Sequence, residues 1–268
     1  MNLKFKAFAF HFLISLTVVA TGLGIVYGLW YRPPFATVEN VFKITLILAA
    51  VDVVIGPFLT FVVYNPEKKS LKFDLALIGI LQLAALGYGM ATLHAARPVY
   101  AVYADGKFST VTREDYESIE MSKVPKDSPW MKFPAWGPAW IGAQMHDNLT
   151  ADDTHMIGIS QKMGGGLRLM PRFYTDYDNV AAQAITRAKR ASELDFVTPP
   201  KPIAKGDTAL RLPTKDELHQ MQLGLQKFGK PLDQLMLLPL NGSRGRAIVV
   251  LEDKTGAILG TLSYTPFW

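Results

Sequence analysis

Three long apolar runs constrain this chain more than any other feature. From Ala7 to Trp30 it carries no formally charged side chain, His11 being the one ionisable group there, and a helix crossing the hydrocarbon of a bilayer needs about 20 apolar residues. Two further runs follow, about Lys43 to Tyr64 and about Leu75 to His94. Each is too long for an ordinary buried core helix, so the pattern predicts three membrane spans within residues 1–96. A secretory signal peptide is the rival reading of the first run, because Lys4 and Lys6 precede it and Ala20-Thr21-Gly22 resembles a cleavage site. The apolar run continues well past that point and two more spans follow it, which favours the anchor.

Composition matters where it divides. The chain of 268 residues is 49% apolar and 19% charged, with a mean hydropathy of +0.15, and nearly all of the hydrophobic excess lies before Ala96. This excludes disorder, collagen-like repeats and a coiled coil. The net charge of +5 and the isoelectric point near 9.2 point to nucleic acid only until the charges are placed. Seven basic residues face four acidic ones up to Ala96, and twenty-one face nineteen beyond it. The surplus flanks the spans and forms no phosphate-binding stripe, so no nucleic acid is expected as a partner. Without cysteine there is no disulfide framework, thiolate metal site or thiol nucleophile.

Lysine placement predicts orientation. Lys4 and Lys6 precede the first span and Lys68, Lys69 and Lys72 separate the second from the third, whereas the first loop, Tyr31 to Asn40, offers only Arg32. The positive-inside rule puts the N-terminus in the cytoplasm and everything after the third span outside it. Trp30, Tyr31, Tyr64 and Tyr88 fall at or near the span ends, as interfacial anchors do. Pro33-Pro34 makes the first loop a stiff extended turn, and the first two spans are expected to form an antiparallel hairpin.

After Arg97-Pro98 the pattern changes to period two. Val99 to Tyr103, Asp105-Gly106 and Phe108 to Val111 read as a β-hairpin around a D-G turn. Ala247 to Leu251, a turn at Asp253 to Gly256, and Ala257 to Tyr264 read as a second. Between them Asp178 is a candidate cap for a helix from Asn179 to about Leu194. Thr214 to Glu217 is a capping box for a helix marked by Leu218, Met221, Leu225 and Phe228 and stopped by Gly229 and Pro231. Val197 to Pro202 is a stiff linker that divides the domain or crosses its surface. The predicted fold is a three-helix transmembrane bundle, residues 1–96, followed by an extracytoplasmic α+β domain with two β-hairpins, residues 97–268, which is expected to fold when released from the membrane.

Asp52 is the most costly residue, because a carboxylate near the middle of a span must be paired, hydrated or protonated. It is read either as hydrogen-bonded within the bundle, to Thr45, Ser15, Thr17 or Gln82, or as a polar contact offered to another protein's helix. A proton relay or a dyad with Asp74 is poorly placed, since Asp74 lies at the membrane surface. Gly56-Pro57 frees a helix hydrogen bond and predicts a kink just after Asp52. Ala20, Gly24 and Gly28 form a small-residue ladder on the first span, and Ala85 and Gly89 form another on the third, for mutual packing or for a foreign helix. The candidate partner-helix site is thus Asp52, Gly24, Gly28, Gly56, Pro57 and Gly89. His146, Asp147, Asp152, Asp153 and His155 fit no zinc spacing, and Gly164-Gly165-Gly166 reads as a flexible turn. No catalytic constellation, cofactor site or metal site emerges.

Lys4 to Phe8, Val51 to Pro57 with Leu59-Thr60, and Asn65 to Asp74, together with Arg97-Pro98, resemble the TfpX/TfpZ family of type IV pilin accessory proteins. The likeness is strongest over about residues 1–110, and beyond them rests on length and the Pro266-Phe267-Trp268 ending. It implies a bacterial inner-membrane protein, in contact with membrane lipid and with a major or minor type IV pilin, that supports pilin stability, pilus assembly or pilus dynamics without enzymatic activity. The alternative reading is a membrane-anchored enzyme or sensor whose periplasmic domain binds a small molecule, with Trp130, Trp136, Trp140, Tyr174 and Tyr177 as candidates to line a carbohydrate groove. A deep pocket with convergent polar groups would favour it.

Overall fold

A computed structural model describes residues 3–117, 124, 128–146, 148–162, 164–199, 213–266 and 268. The chain forms two compact units: Met1–Arg32 with Asn40–Arg97, and Pro33–Glu39 with Pro98–Trp268.

The first unit holds three helices long and apolar enough to cross a membrane: α1 (Leu3–Trp30), α3 (Phe42–Val63) and α4 (Leu71–Ala95). They are apolar nearly all round, with Phe10, Phe42, Ile47, Phe73 and Leu83 exposed, a pattern that in water would leave them unsatisfied. Phe8 of α1 meets Phe61 of α3 edge to face at 6.2 Å. The Tyr27 and Thr45 hydroxyls are 2.7 Å apart, joining α1 to the start of α3. Tyr31 is 1% exposed and donates to the Leu93 carbonyl at 2.8 Å, so it joins two helices where an interfacial anchor was expected. Pro57 lacks an N–H and crowds the carbonyl one turn earlier. Around it α3 loosens into a π-helical turn, Val51–Ile55, so the irregularity contains Asp52 and does not follow it.

The second unit is built on a curled mixed sheet of eight strands. Its order is β4 (Tyr174–Asp176), β3 (Ala139–Ala143), β1 (Pro98–Ala104), β2 (Lys107–Thr112), β6 (Leu235–Asn241), β7 (Arg246–Glu252) and β8 (Ile258–Leu262), with β5 (Lys189–Arg190) pairing β6. β1 and β2 pair antiparallel across Asp105 and Gly106, whose φ values of 53° and 79° suit the twist of a tight hairpin. β6, β7 and β8 form an antiparallel meander. β2 and β6 pair parallel only at Phe108–Leu240 and Ser109–Asn241, while β5 takes the same edge of β6 at Leu237 and Met236. All seven residues of β1 are buried, because both faces of the sheet are covered. Ala101, Tyr103, Leu238 and Val249 face one apolar cluster, Tyr100, Val102 and Ile141 a second, and Leu237, Ile248 and Val250 a third with Leu218, Met221 and Leu225.

The last three side chains come from α8 (Lys215–Gln226), where the Thr214–Glu217 capping box forms with both reciprocal bonds. The expected helix from Asn179 to Leu194 is shorter. It runs Ala181–Arg187 as α7 without a side-chain cap, because Ala188 turns extended and Lys189 and Arg190 leave to pair with β6. Pro200 to Pro202 of the proposed linker lie outside the described residues, as do Asp147 and Phe267.

One segment joins the second unit from far away in sequence. Pro33–Glu39 is not an extended turn: Phe35–Val38 forms a single helical turn, α2. Phe35 and Val38 are buried in the cluster of Tyr103, Phe108 and Leu240, and the Phe35 ring lies 5.6 Å from that of Trp140. The turn between β6 and β7 grips the segment. Arg244 N–H donates to the Val38 carbonyl at 3.0 Å, and a Cβ on Gly242 would come within 2.5 Å of that same oxygen. Glu39 accepts from the Thr110 hydroxyl at 2.6 Å and from Ser243 N–H at 3.4 Å.

A fragment of residues 98–268 therefore lacks part of its own core. It is expected to melt at a lower temperature than the same fragment carrying residues 33–39 on a flexible linker, and Phe35→Ala in the linked form should remove about 3 kcal/mol, both read by thermal denaturation. Equal midpoints with and without residues 33–39 would show that the segment only rests on the surface. Tyrosine ionisation gives a second test. Burial raises the Tyr100 hydroxyl to about 12 and raises that of Tyr177 as well. The Tyr100 hydroxyl donates to the carbonyls of Trp130 and Lys132, and that of Tyr177 to the Gly256 carbonyl at 2.8 Å. Since the unfolded value is about 10, the folded state keeps these protons longer. The stability they represent is complete below pH 10 and is lost as pH rises toward 12. Absorbance titration of the linked fragment should show both hydroxyls ionising with alkaline unfolding, not before it.

Candidate functional site

In the first unit the six candidate residues separate by what surrounds them. Asp52 is 4% exposed and sits inside the bundle. Gln82 of α4 reaches across to it and its Nε2 donates to the Asp52 backbone carbonyl at 3.0 Å. Among the described residues Asp52 Oδ1 and Gln82 Oε1 are buried without a hydrogen-bond partner. Of the other three side chains considered for Asp52, Ser15 is buried while Thr17 and Thr45 bond elsewhere. The Thr17 hydroxyl donates to the Leu13 carbonyl, and that of Thr45 lies against Tyr27 and its own helix. Thr60 meets His11 Nδ1 at 2.5 Å.

Gly56 and Pro57 are buried beside Asp52. A Cβ on Gly56 would come within 1.9 Å of Gln82 Nε2, so the absence of a side chain there is what lets the Gln82 amide cross to α3. Gly89 has the same role on α4, where a Cβ would lie 2.2 Å from Leu48 Cδ2. Gly24 and Gly28 differ. Both are exposed, and a Cβ on either meets nothing within 4 Å. With exposed Thr17, Ala20 and Thr21 they leave a stripe of small side chains along α1. Asp52, Gly56, Pro57 and Gly89 thus hold the bundle together, while Gly24 and Gly28 face away from it.

In the second unit, the aromatic residues considered for a carbohydrate groove pack mostly with one another. Tyr174 and Tyr177 are buried, Trp130 stacks edge-on to Tyr174 at 6.2 Å, Trp140 stacks edge-on to Phe108 at 5.1 Å, and Trp136 alone of the five is exposed, at 62%. Asp153 of the acidic cluster is likewise engaged. It closes a cap with Thr150 at the start of α6 (Ala151–Lys162) and pairs with Arg172 at 2.6 Å. Among the described residues no three His, Asp or Glu side chains could hold a metal ion. Gly164-Gly165-Gly166 is an ordered stop for α6. Gly165 N–H bonds the Ser160 carbonyl and Gly164 N–H that of Gln161, with Gly164 at φ +75°, the paired bonds of a Schellman turn.

Sequence reasoning missed a polar cavity of about 520 Å³ in this unit, between β2, the glycine turn after α6 and the β6–β7 turn. Lys107, Asp105, Asp115 and Arg168 bring charges of both signs to it. Its outer wall includes Thr110 and Ser243, the two groups that hold Glu39. The only local signal was the pair of glycines in Gly242-Ser243-Arg244-Gly245, and nothing in sequence tied that turn to Val38.

No protein-family model matches the chain, and no solved structure does. Curated relatives do. The serogroup I fimbrial assembly protein of Dichelobacter nodosus is 29% identical over 93% of this chain and 90% of its own length. The serogroup E1 fimbrial assembly protein of the same organism is 25% identical over the same shares. The fimbrial assembly protein of serogroups C1 and C2 is 40% identical over 123 residues, which are 92% of its length and 45% of this chain.

Proposed function

Because this chain belongs to the family of fimbrial assembly proteins, we propose that it acts in type IV pilus assembly as a non-enzymatic inner-membrane helper that binds a pilin. The observation that carries the reading is the likeness to the serogroup I fimbrial assembly protein, which extends over both units of the chain. A pilin waiting to be assembled presents an apolar helix in the membrane and a globular head outside it, and a helper with a helical bundle and a folded distal unit can meet both. Embedding is supported by three helices whose outer faces are apolar, and orientation by Lys4, Lys6, Lys68, Lys69 and Lys72.

Helix docking falls to α1. Small side chains let two membrane helices approach until their backbones pack, and Gly24 and Gly28 offer such a strip where the bundle's own helices leave it free. Asp52 is buried inside the bundle, where Gln82 bonds its main-chain carbonyl and ties α3 to α4, so its side chain bears on the packing of the bundle and only through it on pilin binding.

Two measurements test the reading. Reporter fusions after Lys69 are expected to be cytoplasmic and fusions after Lys107 and Trp268 periplasmic; a cytoplasmic distal unit would overturn the scheme. In cells, pilin is expected to co-purify with the detergent-solubilised protein, and Gly24→Leu with Gly28→Leu should lower its recovery about tenfold without changing the protein's melting temperature. Gly89→Leu should instead lower the melting temperature, because Leu48 already fills that place. Asp52→Asn, which keeps the size of the side chain, is expected to be milder than Asp52→Leu on both measures. Undiminished pilin recovery in the Gly24/Gly28 double variant would move the docking face away from α1.

A further inference from the structure

The cavity of the second unit has chemistry that neither the family nor the membrane helices account for. Its walls are polar. Lys107 and Asp105 stand at the mouth, both exposed, and among the described residues Lys107 makes no ion pair. Arg168 also lines it; one of its N–H groups donates to the Thr110 carbonyl at 3.1 Å and its guanidinium lies 4.0 Å from Asp115. A guanidinium has five N–H donors, so most of its capacity is open to a ligand.

What fits such a site follows by elimination. Among the described residues Ala104 is the only apolar side chain on the walls and no aromatic ring lines them, so neither a lipid tail nor a sugar needing a stacking platform is served. Two acidic and two basic side chains face the same space, which disfavours a simple anion or a simple cation. The walls also present main chain. β2 and β6 part after Ser109 and Asn241, and past that point the Thr110 carbonyl, which points away from β1, is met by a side chain and not by a strand. Antiparallel pairing with β1 occupies the other edge of β2. A ligand that offers amide N–H and C=O groups together with side chains of both charges matches all of these features, and the volume of about 520 Å³ lies within the range of roughly 300–1,000 Å³ usual for ligand pockets.

We propose that this cavity binds an extended peptide segment, carrying charges of both signs, from the extracytoplasmic part of a protein partner. On the reading above, that partner is the pilin, and the segment lies in its head, so the site is a second contact separate from α1. The segment's main-chain N–H takes the place of Arg168 on the Thr110 carbonyl. Arg168 swings to an acidic side chain of the segment, Lys107 takes another, and Asp105 and Asp115 receive a basic one. Glu39 shares Thr110 and Ser243 with the cavity wall, so occupancy bears directly on how firmly the Pro33–Glu39 segment is held.

The test uses the full-length protein in detergent, overlapping peptides tiling the head of the pilin encoded in the same genome, and fluorescence anisotropy. A charged peptide from one stretch of the head should bind the wild type. Lys107→Glu and Gln161→Trp, both at exposed positions on the rim, should weaken it at least about tenfold while leaving the melting temperature unchanged. Arg168→Ala should weaken it further, with folding checked by the same melt. Binding should also fall with salt, as charge pairing requires. If intact pilin co-purifies but no peptide binds, or the rim variants bind as the wild type does, the cavity proposal is overturned and the membrane reading stands. If a peptide binds at the rim while intact pilin fails to co-purify, the cavity proposal stands and the membrane reading fails.

Discussion

The grip of the β6–β7 turn on Pro33–Glu39 is the contact on which the second unit depends. A short segment from between two apolar helices supplies Phe35 and Val38 to a core otherwise made by residues more than sixty positions later. Its C-terminal end is secured by hydrogen bonds, Arg244 N–H to the Val38 carbonyl and the Thr110 hydroxyl and Ser243 N–H to the Glu39 carboxylate. Gly242 and Gly245 make the approach possible, since a Cβ on either would crowd the backbone oxygens of Val38 and Thr37. A carboxylate with two donors in a partly buried place is worth more than a surface ion pair. The chain therefore passes between its units three times, after Arg32, after Glu39 and after Arg97, and the second unit is complete only when the first loop is in place.

In the first unit, packing rests on small residues and on polar groups that bond from one helix to another. Gln82 passes over Gly56 to the Asp52 carbonyl, Tyr31 reaches the Leu93 carbonyl, and Tyr27 meets Thr45. On the proposed embedding in a membrane such bonds matter, because hydrocarbon offers no alternative partner and no hydrophobic gain from burying one apolar helix against another. The π-helical turn at Val51–Ile55 belongs to the same economy of space: Pro57 removes one bond of the ladder, the helix widens, and Asp52 is carried inward toward α4. What is left facing outward on α1 is a row of small side chains, and the difference between Gly89, which is filled by Leu48, and Gly24, which is filled by nothing, is the basis for assigning the docking role to one and cohesion to the other.

The polar cavity lies where two parallel strands separate. β6 shares one edge between β5 and β2, antiparallel to the first and parallel to the second, and neither pairing runs its full length. Where β2 continues beyond β6, the turn gripping Glu39, the glycine stop of α6 and Arg168 close around the gap. The cavity is thus a consequence of the same turn that holds the first loop, and one set of residues serves both.

The three apolar runs, the D-G hairpin, the Thr214–Glu217 capping box and the Gly229 stop were legible in sequence because each is local: a run of apolar residues long enough for a helix, two adjacent residues free to take positive φ, a side chain bonding an N–H three positions away. The resemblance to pilus accessory proteins lay in equally local stretches, and the relatives bear out its coarser part, a fimbrial assembly family. The helix after Asp178 was overextended because its charges fit a helix end while β6, nearly fifty residues later, draws Lys189 and Arg190 into a strand. Tyr31 looked like an interfacial anchor until Leu93 received its hydroxyl. Sequence alone determined that this chain has three membrane-length helices and an α+β remainder, since periodicity and caps depend on near neighbours. Only the tertiary structure decided that the first loop belongs to the remainder, that Asp52 and Gly89 face inward while Gly24 and Gly28 do not, and that a charged cavity opens at Thr110, because each depends on which distant backbone arrives within a few ångströms, and no spacing along the chain encodes that.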